Sequence, residues 1–367
     1  MKGKLGFGCM RFPKRDGAID YVELCRMIDV FIGNGFNYFD TAHGYLRGES
    51  ETALKECLVK RHPRESFIIA DKLSTMHFEK KEEIRPLFEK QLNAVGVDYF
   101  DFYLMHSQNS RLYEKYVRCE VYEIAAKLAS EGKIKHLGIS FHDEAKLLDR
   151  ILTEHPEIEV VQIQLNYIDF EDAAIQSRLC LEVCRKHGKP VIVMEPVKGG
   201  SLVNLPEEAK AVLDSLGGGS YASYAIRFAA SFPEVVTVLS GMSSYEQMLD
   251  NVSYMKNFAP LSDEELRAIN DVCEIFKSLS MIKCTACGYC VDGCPMNIAI
   301  PDLFSCMNSK KLFNNWNSGY YYSDVCTANK GKASDCIKCG ACEDACPQKI
   351  EIRRLLCEVA SAFEKKN

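Results

Sequence analysis

The stretch IKHLGISFHDEAKLLDRILTEHPEIEVVQIQLN, residues 134–166, contains the alternation that decides the fold. Its two ends, residues 134–140 and 160–166, are short and rich in apolar and β-branched side chains, which predicts buried strands. Between them, residues 143–155 place apolar side chains three and four positions apart, which predicts an amphipathic helix. The stretch therefore predicts a strand, a helix and a second strand that runs parallel to the first.

The same alternation runs through most of the chain. Eight strands are predicted, at residues 4–8, 36–40, 66–73, 99–106, 134–140, 160–166, 190–195 and 235–241. Helices are predicted at residues 21–35, 51–61, 81–96, 121–133, 143–155, 173–188 and 221–232. Eight strands with intervening helices in about 255 residues predict an α/β fold of the (β/α)8 TIM-barrel type. The main alternative, an open doubly wound sheet, is weakened because no G-x-G-x-x-G sequence follows the first predicted strand.

Two cysteine runs of identical spacing mark a different C-terminal region. CTACGYCVDGCP occupies residues 284–295 and CIKCGACEDACP occupies residues 336–347. In two-cluster ferredoxins, three cysteines of such a run bind one [4Fe-4S] cluster and the fourth binds the other cluster. The expected ligands are Cys284, Cys287, Cys290 and Cys346 for one cluster, and Cys336, Cys339, Cys342 and Cys294 for the second. Zinc is disfavoured because structural zinc sites use paired C-x2-C motifs rather than four cysteines in one run.

A domain boundary is expected near residue 280, between a barrel at 1–280 and a ferredoxin-like domain at 281–367. Residues 262–279 predict a last barrel helix, which Ser262 and Glu265 begin with a capping box. Residues 281–349 have a loop-like sequence, and residues 351–366 predict a closing amphipathic helix. The long segment between the two cysteine runs contains the only tryptophan. Packing of this segment against the barrel is expected, with the barrel mouth or a partner surface as alternatives.

Composition is that of a soluble protein. The chain of 367 residues is 47% hydrophobic and 26% charged, has a net charge of −6, and contains no apolar run long enough to cross a bilayer. Because the N-terminus also lacks the features of a signal peptide, a cytoplasmic location without membrane contact is expected. No basic stripe predicts nucleic-acid binding. The many cysteines outside the two runs are expected to be buried thiols and suit a reducing, anaerobic cell.

Four reactive side chains fall at successive strand ends of the predicted barrel. Asp40 ends the second strand, Tyr45 follows in the next loop, Lys72 lies near the end of the third strand, and His106 ends the fourth. Reactions in such barrels take place at the C-terminal ends of the strands, so these side chains are expected to meet at one rim. Each alone has a structural explanation, but four of them in chain order indicate a catalytic site.

These residue types fit the reduction of a carbonyl group. A phenol whose pKa is near 10 is a weak acid at neutral pH unless a nearby ammonium stabilises its phenolate, which Lys72 can do. Asp40 can hold Lys72 charged and in place, and His106 can hydrogen-bond to the substrate carbonyl. Tyr45 is then expected to protonate the carbonyl oxygen as hydride reaches the carbon.

The chain resembles the aldo-keto reductase family, and in particular its branch with a C-terminal ferredoxin-like 2[4Fe-4S] domain. The resemblance covers essentially the whole chain and rests on LGFGCMRFP, FDTAHGY, ADKL, YLMHSQN, LGIS, VIVMEPVKGGSL and VLSGMSSYEQMLDNV. It implies an oxidoreductase that interconverts a small carbonyl compound and an alcohol with a nicotinamide cofactor. It also implies that Asp40, Tyr45, Lys72 and His106 are the catalytic tetrad of the family.

The same resemblance implies three groups of cofactor contacts. Ser140 and Gln162 should hold the nicotinamide carboxamide. The stretch KGGSL, which contains Gly199, Gly200, Ser201 and Leu202, should approach the pyrophosphate through its backbone N–H groups. Gly241, Ser243, Gln247 and Asn251 should meet the adenosine end.

Two positions depart from the family pattern. Met194 occupies the place where the family often stacks an aromatic ring on the nicotinamide. Gln247, in what the sequence indicates is the last loop, stands near the place where family members bind the 2′-phosphate of NADP with arginine. Because a dianionic phosphate lacks its bidentate partner here, NAD is as strongly expected as NADP.

The two halves of the chain leave three hypotheses open, because a nicotinamide transfers an electron pair whereas a [4Fe-4S] cluster transfers one electron. The first is a nicotinamide-dependent oxidoreductase whose clusters exchange electrons with an external ferredoxin or flavoprotein. The second is a ferredoxin-dependent reductase, with or without flavin, in which Tyr45 donates the proton and no nicotinamide binds; Met194 and Gln247 favour it. The third is a non-catalytic electron-transfer subunit, which the intact tetrad argues against. Clusters that are purely structural remain an alternative to conducting clusters.

Overall fold

Eight parallel strands close into a barrel in the computed structural model, which describes residues 2–279, 282–314 and 316–364. The strands are β1 (Leu5–Gly8), β2 (Tyr38–Asp40), β3 (Ile68–Leu73), β4 (Phe100–Gln108), β5 (Ile134–Phe141), β6 (Val160–Gln164), β7 (Val191–Met194) and β8 (Val235–Ser240). Each strand pairs with its neighbours in sequence, and β1 closes the barrel by pairing with both β2 and β8. All eight overlap the strands expected from the sequence, so the (β/α)8 fold is confirmed.

Eleven α-helices lie between or after the strands in the described residues up to residue 279. They are α1 (Tyr21–Gly33), α2 (Glu49–Leu54), α3 (Ile84–Val95), α4 (Ser110–Arg118), α5 (Val121–Ser130), α6 (Ala145–Glu154), α7 (Ser177–Lys186), α8 (Glu207–Asp214), α9 (Tyr221–Ala230), α10 (Tyr245–Met255) and α11 (Asp263–Leu279). The predicted capping box of α11 is present, because Glu265 N donates to Ser262 Oγ and Ser262 N donates to Glu265 Oε2. Helices α4, α8 and α10 were not predicted; the residues of α10 had been interpreted as a loop.

One layer of apolar side chains fills the barrel below its C-terminal rim. It consists of Tyr38, Ala70, Phe102, Leu104, Val160, Ile192 and Leu239, with Ile68 and Val236 packed against it. Gly138 belongs to the same region and has no room for a side chain, since a Cβ there would lie 2.4 Å from Leu104 Cδ2. Side chains two positions further along a strand project to the same face. The layer above this one therefore contains Asp40, Lys72, His106, Gln162 and Met194, which places the predicted reactive residues inside the rim.

The C-terminal region is more helical than its sequence indicated. It contains α12 (Tyr289–Asp292), α13 (Ile300–Phe313), α14 (Asn317–Tyr320), α15 (Ala341–Asp344) and α16 (Ile352–Phe363), and a π-helical turn at Tyr321–Cys326. The closing helix is confirmed as α16, but α13 corrects the expectation that residues 281–349 are loop-like. The expected domain boundary falls at residues 280 and 281, which lie outside the described residues.

The C-terminal region packs directly on the barrel. Ala174 and Ile175, which precede α7, belong to the apolar core of the C-terminal region. Asn317 Nδ2 donates to Gln164 Oε1 at the end of β6 over 3.0 Å, and both side chains are buried. Arg111 on α4 pairs with Asp324 at 2.9 Å. None of the helices in the described residues is long and apolar enough to span a membrane.

Candidate active site and cysteine cavities

A cavity of about 720 Å³ opens at the C-terminal rim of the barrel. Asp40, Tyr45 and His106 line it, and Lys72 is fully buried beside Asp40. The four residues expected to form a catalytic tetrad are therefore gathered at one place, on β2, on the turn after β2, on β3 and on β4.

Lys72 is the centre of the contacts among these residues. Its ammonium donates to the carboxylate of Asp40, to the carbonyl oxygen of Thr41 at 2.7 Å, and to the hydroxyl of Tyr45 at 3.4 Å. The second oxygen of Asp40 accepts from Gln162 Nε2 at 3.0 Å. The three hydrogens of the ammonium are thus used, and one of them points to the phenol oxygen.

Burial and neighbouring charges shift the pKa values of Lys72 and Tyr45 in opposite directions. Burial lowers the pKa of Lys72, but Asp40 and Tyr45 raise it by more, so that its net pKa lies above the ordinary value. Burial raises the pKa of Tyr45, and Lys72 lowers it only in part. Tyr45 therefore carries its proton at neutral pH, as a proton donor must, while Lys72 stays charged.

His106 is held as a neutral ring. Its Nδ1 lies 2.5 Å from the hydroxyl of Ser74, and its ring meets the ring of Tyr45 edge-on with centroids 6.0 Å apart. Burial lowers the pKa of His106 well below its ordinary value, and the charge of Lys72 lowers it further. His106 can therefore form a hydrogen bond to a carbonyl group but does not add a positive charge to the site.

Most of the expected cofactor residues line the same cavity. They are Gln162, Gly199, Gly200, Gly241, Ser243, Gln247 and Asn251. Gly199 and Gly200 have φ of 66° and 99°, a region that favours glycine, and they leave the backbone of this loop open to the cavity. The space and the exposed backbone fit an extended nicotinamide dinucleotide.

Three expected cofactor residues do not line the cavity. Ser140 is fully buried, and its hydroxyl accepts from the backbone N–H of Ser107 at 2.8 Å. Leu202 is fully buried in the barrel core, and Ser201 lies beside it on the same turn. Gln247 does line the cavity, but it lies in the first turn of α10 rather than in a loop, and its Oε1 accepts from Ser243 N at 2.7 Å.

Several residues at the rim were missed by the sequence analysis. Arg11 lines the cavity between the loops after β7 and β8, because a Cβ on Gly199 or on Gly241 would lie about 3.5 Å from its side chain. His142 follows β5, lines the cavity, and has a buried Nδ1 without a hydrogen-bond partner. Arg11 stands inside the motif LGFGCMRFP, so its position could have been noticed, whereas nothing in the sequence marked His142.

The segment between the cysteine runs reaches the barrel mouth. Trp316, Asn317 and Tyr320 line the cavity together with His106 and His142. The hydroxyl of Tyr320 accepts from Asn109 Nδ2 at 3.1 Å. Packing on the barrel and lining of its mouth, which had been alternatives, thus occur together.

Two small cavities in the C-terminal region are each lined by four cysteines. One is lined by Cys284, Cys287, Cys290 and Cys346, and the other by Cys294, Cys336, Cys339 and Cys342. In each set, three cysteines come from one run and the fourth comes from the other run. Among the described residues, no group of His, Cys, Asp or Glu side chains is gathered closely enough to hold a single metal ion. Four thiols spread around a cavity fit the larger [4Fe-4S] cluster.

Comparison with known proteins identifies the family of the chain. The model of the aldo/keto reductase family matches residues 4–274, and that of the 4Fe-4S dicluster domain matches residues 283–351. The chain belongs to the aldo/keto reductase family. It is an oxidoreductase of that family with a C-terminal iron–sulfur domain, which confirms the resemblance noted from its motifs.

Individual relatives are distant. The NADH-specific methylglyoxal reductase of Escherichia coli (strain K12) is 25% identical over 287 residues, which cover 65% of this chain and 84% of that protein. A solved aldo-keto reductase from Bacillus halodurans is 26% identical, with a TM-score of 0.59 over 73% of this chain and 91% of its own. An aldo-keto reductase from Klebsiella pneumoniae, solved in complex with NADPH, has a TM-score of 0.61 over 74% of this chain and 95% of its own. That structure is only 20% identical and shows the fold alone.

Proposed function

We propose that the protein reduces a small carbonyl compound to an alcohol at Asp40, Tyr45, Lys72 and His106, with a nicotinamide cofactor. Two [4Fe-4S] clusters in the C-terminal domain would exchange single electrons with an external ferredoxin or flavoprotein, and a flavin of that partner would combine two of them into the pair that a nicotinamide carries. One observation carries the proposal: a fully buried ammonium, that of Lys72, contacts both the Asp40 carboxylate and the Tyr45 hydroxyl at the floor of the rim cavity. We assign residues 1–280 to the barrel domain and residues 281–367 to the iron–sulfur domain.

The residues of the rim have distinct tasks in this reaction. When bound, a nicotinamide supplies hydride to the carbonyl carbon. His106, which is neutral, donates a hydrogen bond to the carbonyl oxygen and fixes its position. Tyr45 gives its proton to that oxygen, and the ammonium of Lys72 stabilises the phenolate that remains. Asp40 keeps Lys72 charged and oriented, and Gln162 holds Asp40.

We expect the protein to use NADH at least as readily as NADPH. Gln247 stands near the expected place of a 2′-phosphate, and its side chain is already engaged by the backbone of Ser243. Arg11 is the one cation among the described residues that line the cavity, and it lies near Gly199 and Gly241 rather than on α10. The E. coli relative is named as NADH-specific, which supports the same choice.

The cluster ligands follow from the two cysteine cavities. Cys284, Cys287, Cys290 and Cys346 would bind one cluster, and Cys336, Cys339, Cys342 and Cys294 the other. A bound [4Fe-4S] cluster supplies one-electron transfer or reinforces a domain with a small core. Because each cavity needs a cysteine from the other run, both clusters would lie in one unit, and Ile300 lines both cavities. That proximity favours electron transfer over a structural role alone.

A ferredoxin-dependent reductase without nicotinamide is the second candidate, which Met194 favours. Its side chain lines the cavity in the layer of the tetrad, where a nicotinamide would need a flat partner. In this case Tyr45 and Lys72 keep the same tasks, and the electrons reach the substrate through the C-terminal domain.

Anaerobic titration of the cluster-loaded protein with NADH, NADPH and FMN separates the two candidates. Under the leading proposal, NADH binds and is oxidised when an aldehyde is added, while the visible absorbance of the clusters is unchanged by NADH alone. Under the second, neither nicotinamide binds, and turnover requires a reduced ferredoxin. Bleaching of the cluster absorbance by NADH alone would contradict both, since an electron-splitting group would then have to lie within the chain.

A further inference from the structure

The rim cavity has two ends of different character. Toward β7, β8 and α10 it is lined by glycines, polar groups and mostly aliphatic side chains, including Gly199, Gly241, Asn251 and Val197. Toward β4 and β5 it is lined by aromatic rings, which we call the aromatic end: His106, His142, Trp316 and Tyr320. Because the first end suits an extended dinucleotide, the aromatic end is where substrate meets the tetrad.

The rings of the aromatic end form a wall of two groups in ring contact, one that begins at the proton donor and one that begins at His142. The ring of Tyr45 meets that of His106 at 6.0 Å, the ring of His142 meets that of Tyr320 at 5.5 Å, and Tyr320 meets Trp316 at 6.1 Å, all edge-on. Trp316 is 55% exposed although it lines the cavity. Part of its surface therefore remains free for a ligand.

The C-terminal contribution to this wall is fixed in place by buried hydrogen bonds. Asn317 donates to Gln164 at 3.0 Å, and Tyr320 accepts from Asn109 at 3.1 Å. Asn109 in turn caps α4, because its Oδ1 accepts from the backbone of Arg111 and Leu112. Trp316 and Tyr320 are thus held by the ends of β4 and β6, and the wall is formed before substrate binds.

Charge at the aromatic end is balanced. The carboxylate of Asp40 is paired with Lys72, and Arg11, Glu195 and Asp250 lie toward the other end of the cavity. Arg111 on the nearby helix α4 is paired with Asp324. Among the residues that the structure describes, substrate at this end therefore meets neutral rings and no unpaired cation, which disfavours a carboxylate group on the substrate.

We propose that Trp316, Tyr320 and His142 form a substrate subsite shared by the two domains, and that it selects neutral carbonyl compounds with an aromatic or other planar substituent. The proposal rests on the proposed carbonyl reduction for its location and adds the substrate class. It assigns the iron–sulfur domain a second task, which is to supply Trp316 and Tyr320 to the wall of the substrate site.

Kinetics with matched aldehydes test the subsite. The ratio of kcat/KM for benzaldehyde to that for propanal should fall about fivefold to tenfold in Trp316→Ala, because one aromatic contact is lost. Trp316→Phe, which keeps a ring, should retain the ratio within about twofold, and so should Tyr21→Ala on the exposed outer face of α1. Among charged probes, methyl 4-formylbenzoate should be a better substrate than 4-carboxybenzaldehyde. An unchanged ratio in Trp316→Ala, or preference for the carboxylate, would overturn the proposal.

Fluorescence gives a second readout that does not depend on turnover. Trp316 is the only tryptophan in the chain, so emission excited at the red edge of its absorption reports on the subsite alone. Benzaldehyde should quench this emission saturably, relative to free N-acetyltryptophanamide, and propanal should not. Saturable quenching without reduction of either aldehyde would support the subsite and refute the proposed function. Quenching no greater than that of the free compound would refute the subsite even if both aldehydes are reduced.

Discussion

At the scale of single residues, burial and pairing determine which side chains of the site are charged. Lys72 and Asp40 are almost fully buried, and such a pair persists because each neutralises the other and their remaining polar atoms are hydrogen-bonded. Tyr45 lies at the edge of this pair. Burial keeps its proton on, and the ammonium 3.4 Å away lowers the free energy of the phenolate once the proton has left.

The first prediction concerns Tyr45. Tyr45→Phe should lower kcat/KM for aldehyde reduction by about 10²- to 10⁴-fold, the usual contribution of a general acid, because among the described residues Tyr45 is the one whose hydroxyl contacts Lys72. Binding of NADH, measured by fluorescence energy transfer from Trp316 or by calorimetry, should change by less than about threefold, a difference well under 1 kcal/mol. Tyr21→Phe, on the outside of the barrel, is the matched control. A variant that keeps more than a tenth of the activity would show that another group is the acid.

The second prediction concerns a buried carboxyl pair behind the site, Glu51 on α2 and Asp71 on β3. Burial raises the pKa of Glu51 to about 7, and burial and the nearby Glu51 raise that of Asp71 well above its ordinary value. A carboxyl whose pKa is raised on folding binds more protons in the folded state, so the stability that Glu51 contributes falls as pH rises from about 4.5 to 7 and then levels off. The loss from Glu51 is at most about 3 kcal/mol.

Glu51→Gln should remove the part of this dependence that comes from Glu51 and should also lower the raised pKa of Asp71, since the charge of Glu51 is one of its causes. The amide cannot ionise, so the difference in Tm between the variant and the wild type should grow in favour of the variant from pH 5 to pH 8. Thermal unfolding measured anaerobically at four pH values checks it, and Glu49→Gln, exposed on the same helix, is the control. Parallel Tm curves for Glu51→Gln and wild type would show that Glu51 is ionised throughout.

The residue types of the tetrad could be predicted from the sequence, but their surroundings could not. Asp40, Tyr45, Lys72 and His106 each lie close to the end of a strand, and strand ends of a barrel meet at one rim whatever the loops do. Ser140 lies on a strand too, yet its hydroxyl accepts a hydrogen bond from the backbone N–H of Ser107. The φ of 56° at Ser107 could not be predicted from the sequence. His142 lies one residue beyond β5, and only the packing of Tyr320 and Tyr321 against it gives it a place in the site.

At the scale of elements, strands were easier to predict than helices. A buried parallel strand is a short apolar run, and eight such runs stood out. Helix α13 did not, because it packs against several neighbours and its buried residues, such as Ile300, Leu303 and Phe304, leave no single apolar stripe. Helix α10 was hidden for a different reason. The sequence analysis places Gln247 in the last loop, although it lies in the first turn of this helix, which Ser244 caps.

The third prediction concerns the segment of α14 that covers the barrel mouth. Asn317→Leu has a similar volume but removes the donor to Gln164 Oε1, which among the described residues then keeps the hydroxyl of Tyr321, at the long distance of 3.5 Å. A buried acceptor that loses its hydrogen bond destabilises the closed segment by about 1 to 3 kcal/mol. The free energy of local opening of the segment falls by the same amount. Amide hydrogen exchange should therefore increase in peptides that cover residues 316–326.

The control for that variant is Ser323→Ala, which lies on the exposed side of the same segment. Helix α16 packs into the core of the C-terminal region. Its amide hydrogen exchange should therefore be the same in both variants and in the wild type. Equal protection of residues 316–326 in Asn317→Leu and wild type would mean that the Gln164 contact does not hold the segment.

At the scale of the whole molecule, the two domains share structure at two places. The segment around α14 belongs to the iron–sulfur domain by sequence but forms part of the barrel mouth. In the other direction, Ala174 and Ile175 of the barrel complete the core that surrounds the cysteine cavities. Lys330 extends this contact, because it pairs with Glu144 of the barrel and lies 3.7 Å from Asp302 of α13. The proposed electron carrier would therefore dock on a unit already joined to the rim of the barrel.

The last prediction tests the crossed arrangement of the cysteines. Cys284 and Cys346 lie 62 positions apart but line one cavity, whereas Cys284 and Cys294 belong to one run but line different cavities. If the cavities bind clusters, Cys284→Ala, Cys346→Ala and the double variant should all lose the same cluster, and each should retain about four of eight iron atoms. The double variant of Cys284 and Cys294 should lose both clusters. Iron content and the electron paramagnetic resonance spectrum of the reduced protein measure this.

Cys357→Ala is the control for those variants, since Cys357 is exposed on α16 and lies outside both runs. It should retain about eight iron atoms. If iron is instead lost run by run, so that the Cys284 and Cys294 double variant keeps half of it, each run binds its own cluster and the crossed assignment is wrong. Reduction of propanal by NADH should persist in all variants that remain folded, because the tetrad lies entirely on the barrel. If the ferredoxin-dependent candidate holds instead, turnover driven by a reduced ferredoxin should stop with the first cluster lost, because single electrons then have no route to the rim.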